Sequence, residues 1–424
     1  MSEDARSLAQ RAQGMIDALA TISADPDKLT RLYLTEQHRA AAQLVGEWMR
    51  RAGMTVRMDA AGTMHGVMPA GRAGRSGNRR LLIGSHIDTV VDAGRFDGTF
   101  GVIAGILAVE ELRRRNVALP FEVEVLAFGD EEGVRFPKTL IGSSTVSGAL
   151  GDAMLDLTDA NGVTIRDALL AFGGDPDALA DEAYAPGSVI GYLEVHIEQG
   201  PVLEQAGEPL GVVSAIASQG RYRIAIKGEA GHAGTVPMDV RHDALAAAAQ
   251  VILITEEIAL KHQKASCVAT VGEIKVSPGA SNVIPGLVEF SLDLRAATDE
   301  ARATAAEAIR YRIRNIGVKR GVLVSIETMH EKPVATCAPH LKKAIADAIG
   351  KATGKKAREL MSGAGHDGQA MIHLTDIGMI FVRCRAGISH NPLEFVETED
   401  LGTAVEALVG TIESMADSYG ANNR

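Results

Sequence analysis

Apolar and polar positions along this chain fall into short runs whose order predicts most of its elements. Leu81-Leu82-Ile83 is continuously apolar and reads as a short buried strand. It breaks into Gly84-Ser85-His86-Ile87-Asp88-Thr89-Val90, where a strand should end. Ahead of it, residues 1–60 read as mostly helical. Ile16, Leu19, Ile22, Leu29 and Leu32 are scattered anchors; from the N-cap residue Thr35 a stronger pattern runs through Leu44, Val45, Trp48 and Met49 to a stop at Gly53. Residues 54–58 then alternate like a strand. After the polar break, residues 101–115 form a helix whose small residues suit packing on a sheet. Residues 121–128 are a strand ending in Gly129-Asp130-Glu131-Glu132-Gly133. Strand, helix, strand with polar residues at both strand ends is the α/β pattern, in which ligands bind at the carboxyl ends of the strands.

A third strand end stands at Gly191-Tyr192-Leu193-Glu194-Val195-His196-Ile197-Glu198-Gln199-Gly200-Pro201, and a fourth at Gly387-Ile388-Ser389-His390-Asn391-Pro392, after Met379-Ile380-Phe381-Val382. Between about 214 and 331 the pattern changes. A strand at 221–226, an Ala-rich helix at 241–262, strands at 267–276 and 287–294, a helix at 298–316 and a strand at 322–328 give β-α-β-β-α-β. That is the ferredoxin-like split βαβ order. The expected organisation is a catalytic domain of residues 1–213 and 332–424 with an inserted domain of residues 214–331.

The length of 424 residues fits two domains better than one core. A net charge of -11 argues against nucleic acid or an anionic membrane as partner, though not against a small anionic substrate. Cys267, Cys337 and Cys384 are three and far apart, so neither a disulfide framework nor a thiolate zinc site is suggested. The opening Met1-Ser2-Glu3-Asp4 lacks a signal-peptide core, and no apolar run is long enough to span a bilayer. The expected location is cytoplasmic.

The strand ends carry the chemistry. His86 and Asp88, two apart on an extended chain, point to one side. Imidazole is a good ligand for a divalent transition metal, and a carboxylate nearby can fix the site or orient the ring. Asp97, between Phe96 and Gly98, stands where a turn can swing its carboxylate back to the same point. Of the adjacent carboxylates Glu131 and Glu132, one can bind metal while the other carries protons. Either pair alone is as easily strand-end polarity or surface charge; together they reinforce each other. His196 is a plausible ligand from a third strand. His38, on a helix among charged residues, is expected at the surface, and His65 at a strand edge with no function.

Five stretches in order, Gly-Ser-His-Ile-Asp-Thr-Val, Gly-Arg-Phe-Asp-Gly, Asp-Glu-Glu-Gly-Val-Arg-Phe, His-Ile-Glu-Gln-Gly-Pro-Val-Leu-Glu and Gly-Ala-Gly-His-Asp, closely resemble one family across nearly the whole chain. It is the dinuclear metal amidohydrolases that cleave ureido compounds: N-carbamoyl-L-amino acid amidohydrolases, allantoate amidohydrolases and β-ureidopropionases, similar in fold to zinc aminopeptidases. The resemblance implies a mixed-sheet α/β/α zinc-peptidase-like catalytic domain with an inserted ferredoxin-like α+β dimerisation and lid domain. It implies two divalent ions per subunit (zinc, manganese or cobalt) on His86, Asp97, Glu132, His196 and His390, with Asp97 bridging. Glu131 is the implied general acid/base, Asp88 the partner of His86, and His232 is implied to be catalytic as well as a substrate contact. Gln199, His232, Asn282, Arg295 and His366 are the implied substrate contacts. For Arg295 the alternative is a salt bridge to Asp293 or Asp299.

The implied activity is hydrolysis of an N-carbamoyl or ureido group near a carboxylate, by an enzyme acting as a homodimer. An aminopeptidase or dipeptidase on the same scaffold would want a pocket for a free amine, and Arg295 and Asn282 favour a carboxylate. A metal-dependent binding protein with a dead site would have no need of Glu131.

Overall fold

The structure is a computed structural model that describes residues 3–71, 79–151 and 154–422; Met1 and Ser2 of the acidic opening lie outside them. The chain forms two compact units, Met1–Ser214 with Thr336–Arg424, and Ala215–Ala335.

The first unit is built on a mixed nine-stranded sheet. Its order is Thr55–Met58, Met64–Met68, Glu122–Phe128, Arg80–His86, Val189–Ile197, Ile377–Val382, Leu210–Ile216, Ala335–Thr336, with Arg358–Ser362 pairing Leu210–Ile216. Arg80–His86 runs parallel to Glu122–Phe128 and to Val189–Ile197, which is parallel to Ile377–Val382. Thr55–Met58 with Met64–Met68, Met64–Met68 with Glu122–Phe128, and Ile377–Val382 with Leu210–Ile216 pair antiparallel. All but the first residue of Arg80–His86 are buried, as expected of a central parallel strand covered on both faces, and this is why its sequence is a continuous apolar run. The helix Thr99–Arg114 crosses from this strand to Glu122–Phe128. Its Gly101 permits a close approach: a Cβ there would lie 2.2 Å from the carbonyl oxygen of Val195. Helices Glu3–Ala20, Thr99–Arg114, Pro339–Thr353 and Thr398–Asn422 pack together over a core that includes Leu81, Ile83, Val123, Val125, Val195 and Ile380.

The second unit is an antiparallel sheet in the order Ile274–Ser277, Leu287–Ala296, Ser218–Lys227, Leu323–Lys332, with Val268–Thr270 also paired to Leu287–Ala296. Helices Ala244–Lys261 and Asp299–Arg320 pack on each other and on the sheet. Val288, Phe290, Leu292 and Leu294 alternate into the core between them. This is the ferredoxin-like order. The single strand expected at 267–276 is two short ones, Val268–Thr270 and Ile274–Ser277, separated by a break that contains Gly272.

Two histidines differ from expectation. His38 is fully buried, not on the surface. Thr35 caps the helix Glu36–Arg51 by accepting from the His38 N–H, and this sets the imidazole inward, stacked on Phe172 with Nδ1 accepting from the Leu34 N–H at 3.2 Å. His65 is also fully buried, because Met64–Met68 lies inside the sheet rather than at its edge. Its ring nitrogens meet Glu124 at 2.7 Å and Asp59 at 3.1 Å. No helix among the described residues is long and apolar enough to cross a membrane.

Candidate metal centre

From Arg80–His86 the chain crosses to Glu122–Phe128 on one side, while Val189–Ile197 lies on the other. The strand order reverses there, and the crevice outside the carboxyl ends at such a reversal is where open α/β sheets bind ligands. His86 ends the first of these strands, Glu131 and Glu132 follow the second, and His196 is the last residue but one of the third. His390 follows Ile377–Val382 by eight positions.

Asp97 is the centre of the cluster. Its Oδ1 lies 3.0 Å from His196 Nε2 and 3.6 Å from His86 Nε2, and its Oδ2 lies 3.4 Å from His390 Nε2. His390 Nε2 is also 3.4 Å from Glu132 Oε2, and His86 Nε2 is 4.0 Å from Glu131 Oε2. The donor atoms fall into overlapping groups, His86–Asp97–His196, His86–Glu131–Glu132 and Asp97–Glu132–His390, each within 4.8 Å. A tight turn brings Asp97 back. Gly98 has φ +62° and ψ −53°, and the Thr99 N–H donates to the Asp97 carbonyl at 2.5 Å. This is a γ-turn of the rarer, positive-φ kind. A Cβ at Gly98 would stand 2.3 Å from His86 Nε2. Gln199 and His390 also have positive φ, 55° and 54°. Such backbone is costly in non-glycine residues and persists where the surroundings impose it.

The imidazoles are oriented by carbonyls. His86 Nδ1 lies 3.0 Å from the Asp88 carbonyl and His196 Nδ1 2.9 Å from that of Ile197. A carbonyl partner requires the proton on Nδ1, so in the neutral ring it is Nε2, facing Asp97, that carries the lone pair. The Asp88 carboxylate is 3.6 Å from His86 Nδ1, too far to orient it. It instead accepts from the Glu131 and Glu132 N–H groups at 3.2 and 3.3 Å. The expected pairing of Asp88 with His86 thus runs through the main chain, because the strand ends at His86 and turns, bringing the carbonyl rather than the carboxylate to the ring.

Burial opposes charge throughout the cluster, and the neighbours decide the outcome. Burial works against ionised Asp97, but His196 first and then His390 and His86 hold it well below the carboxylate range. Burial and then the neighbouring carboxylates push Glu131 well up, against the opposing His86. Burial and then Asp97 push Glu132 to about 7. His86 and His196, against their burial, are raised by the surrounding acids. The residues therefore fit a bound cation: lone pairs from imidazole and carboxylate converge on one region whose field favours positive charge. Nitrogen and oxygen donors without thiolate suit zinc, manganese or cobalt.

Gln199 donates from Nε2 to Asp97 Oδ2 at 2.7 Å, and its buried Oε1 has no partner among the described residues. His366 is fully buried against His196 and Phe381, with Nε2 2.6 Å from Ser362 Oγ. In the second unit, His232 and Asn282 are exposed neighbours: the Ala233 N–H donates to the Asn282 carbonyl, and Gly231–His232 pairs with Val283–Ile284. Arg295 forms a forked ion pair with Asp293 at 2.8 and 3.1 Å, the alternative open from its sequence. Sequence reasoning missed Ser389 and Glu394, whose side chains surround Asp97, and Glu194, which groups with His196 and His366. Glu194 alone carried a signal, since it lies two residues before His196 on one strand and so on the same face.

A carboxylate beside a cation site, at the carboxyl ends of the parallel central strands, is what a metal-dependent hydrolase requires, and relatives give that class its name. The profile of peptidase family M20/M25/M40 matches residues 82–414, and the chain belongs to that family. It is 41% identical over 436 residues to the allantoate deiminase of Arabidopsis thaliana, covering 96% of this chain and 82% of that one. To the N-carbamoyl-L-amino acid amidohydrolase of Geobacillus stearothermophilus it is 41% identical over 389 residues, covering 92% and 93%. A crystal structure of a hydantoinase/carbamoylase family amidase from Burkholderia multivorans superposes with a TM-score of 0.89 at 31% identity, over 96% of this chain and 98% of that one. The chain is a hydrolase acting on C–N bonds other than peptide bonds.

Proposed function

We propose that this protein hydrolyses the ureido C–N bond of a small carboxylate substrate, allantoate or an N-carbamoyl-L-amino acid, releasing ammonia and, from carbamoyl substrates, CO2. The observation that carries the reading is Glu131, a partly buried carboxylate 4.0 Å from His86 Nε2 that groups with His86 and Glu132 but belongs to neither of the two groups centred on Asp97. His86, Asp97 and His196 would hold one divalent ion, and Asp97, Glu132 and His390 a second. Ions bound there supply Lewis acidity for a poorly electrophilic ureido carbonyl and lower the pKa of a nearby water. Glu131, its backbone fixed by Asp88, takes a proton from the attacking water and returns it to the leaving nitrogen. The free Oε1 of Gln199 can accept an N–H of the ureido group. His232, Asn282, Arg295 and His366 are carried as substrate contacts by the resemblance, with Arg295 exchanging Asp293 for the substrate carboxylate; Asp293 would keep Gln219 and Arg221 as partners.

The same reading includes a homodimer formed through the second unit, supported by the edge strand Leu323–Lys332 with its exposed Leu323 and Met329. Three buried free cysteines suit a reducing, cytoplasmic location. Glu131→Gln tests the central assignment. It should keep its metal, by elemental analysis, and lose about 10²–10⁴-fold in turnover. Loss of metal instead would exchange the roles of Glu131 and Glu132.

A further inference from the structure

Glu394 belongs to none of the ligand groups, yet it joins two segments that carry ligands. It is buried, with 3% exposure. Its Oε1 accepts from the backbone N–H groups of Phe96 at 2.7 Å and Asp97 at 3.1 Å. Its Oε2 lies 3.0 Å from Ser389 Oγ, which is itself 2.6 Å from Asp97 Oδ2. Gln199 completes the enclosure at 2.7 Å from the same oxygen. One carboxylate thus ties the chain at Asp97 to the loop of His390, across 297 positions of sequence. The space for it comes from Gly94, where a Cβ would stand 2.2 Å from Glu394 Cδ.

We propose that Glu394, acting through Ser389, is a positioning residue of the metal centre: it fixes the pitch of the Asp97 carboxylate and the placement of the His390 loop, and so sets how tightly a divalent cation is held. The inference rests on Asp97 and His390 being ligands. A carboxylate free to rotate about its side-chain bonds must be ordered when it binds an ion, and partners outside the ligand set do that ordering beforehand; losing one typically costs about 10–100-fold in metal affinity. A brace for the fold alone would lower stability and leave affinity unchanged.

The test is calorimetric titration of the chelator-stripped full chain with Co²⁺, with the visible absorption of the bound ion recorded alongside. Glu394→Ala should bind about 10–100-fold more weakly and with a changed spectrum. Glu394→Gln, which can still accept from both amides and donate to Ser389, should recover most of that loss. Ser389→Ala should lose affinity in the same direction. A folded Glu394→Ala protein with wild-type affinity and spectrum, changed only in its melting temperature, would overturn the proposal. If that variant does not fold, Ser389→Ala decides, since it removes one hydroxyl, and an unchanged affinity and spectrum there would overturn it equally. His390→Ala separates the two levels. Wild-type affinity in His390→Ala would refute the ligand set itself. Lost affinity there, with Glu394→Ala and Ser389→Ala unaffected, would refute only the positioning role.

Discussion

Substituting alanine for Gly98 puts the local geometry to a quantitative test. The residue is at the centre of the turn that returns Asp97 to the cluster, at φ +62° and ψ −53°. An L-residue held in that region costs about 1–3 kcal/mol. The added Cβ would lie 2.3 Å from His86 Nε2 and 2.4 Å from two ring carbons, so ring or helix must move by about 1 Å to reach ordinary contact. Overpacking of this kind costs about 1–3 kcal/mol. Together the penalty is about 2–6 kcal/mol. Borne wholly by the site, that weakens metal binding roughly 30-fold or more. Borne by the fold, it lowers the melting temperature by about 4–12 °C at roughly 2 °C per kcal/mol. Metal titration and thermal melting of metal-free Gly98→Ala therefore measure the two shares. Gly14→Ala is the control: Gly14 lies in the helix Glu3–Ala20, a Cβ there meets nothing within 4 Å, and the change should stabilise by about 0.5–1 kcal/mol. If Gly98→Ala matched wild type in both measurements, the turn and its contact with His86 would not matter as described.

Arg295→Lys should lower kcat/KM for carboxylate-bearing substrates by roughly 2–4 kcal/mol, because lysine lacks the planar fork, and much less for an amide analogue; equal losses on both would make its ion pair with Asp293 its whole role. His65→Gln should cost about 3 kcal/mol near pH 6, since it leaves Asp59 buried without its ion-pair partner, while Glu124 loses one partner and keeps Arg80 Nη1 at 2.6 Å. Against its burial, hydrogen bonds to Asp59 and Glu124 raise His65, so its contribution is full below its ordinary 6.5 and fades as pH rises through the raised value. Against its own burial, His65 lowers Glu124, whose contribution is full above its ordinary 4.5 and fades as pH falls through the lowered value. The gap between wild-type and variant melting should thus be widest between about 4.5 and 6.5 and shrink in alkali; a gap independent of pH would contradict the assignment. Light scattering should give a dimer at micromolar concentration, and a monomer would rule the homodimer out.

The strands that end at the candidate site were legible because the same constraint writes both pattern and site. A strand covered on both faces must be apolar throughout, and where it ends the polar residues face the crevice, so Leu81-Leu82-Ile83 and the run before Glu131 announced themselves. The turn at Gly98 was legible from Phe-Asp-Gly. Glu394 was not, because its partners are Phe96 and Asp97, and no local periodicity encodes a contact of that span. His38 misled for a related reason: its neighbours in sequence are charged, but its neighbours in space are Leu34, Tyr33 and Phe172. The strand Leu210–Ile216 and the helix Thr398–Asn422 escaped notice, the first by adjoining the change of pattern near 214.

The most direct measurement is ammonia release by the metal-reconstituted protein on a panel of allantoate, N-carbamoyl-L-amino acids and dipeptides. A ureido hydrolase built on this centre should give metal-dependent ammonia from the ureido acids, abolished by chelator and restored by zinc, manganese or cobalt, with the dipeptides left intact. Hydrolysis of dipeptides with no ammonia from any ureido acid would contradict it.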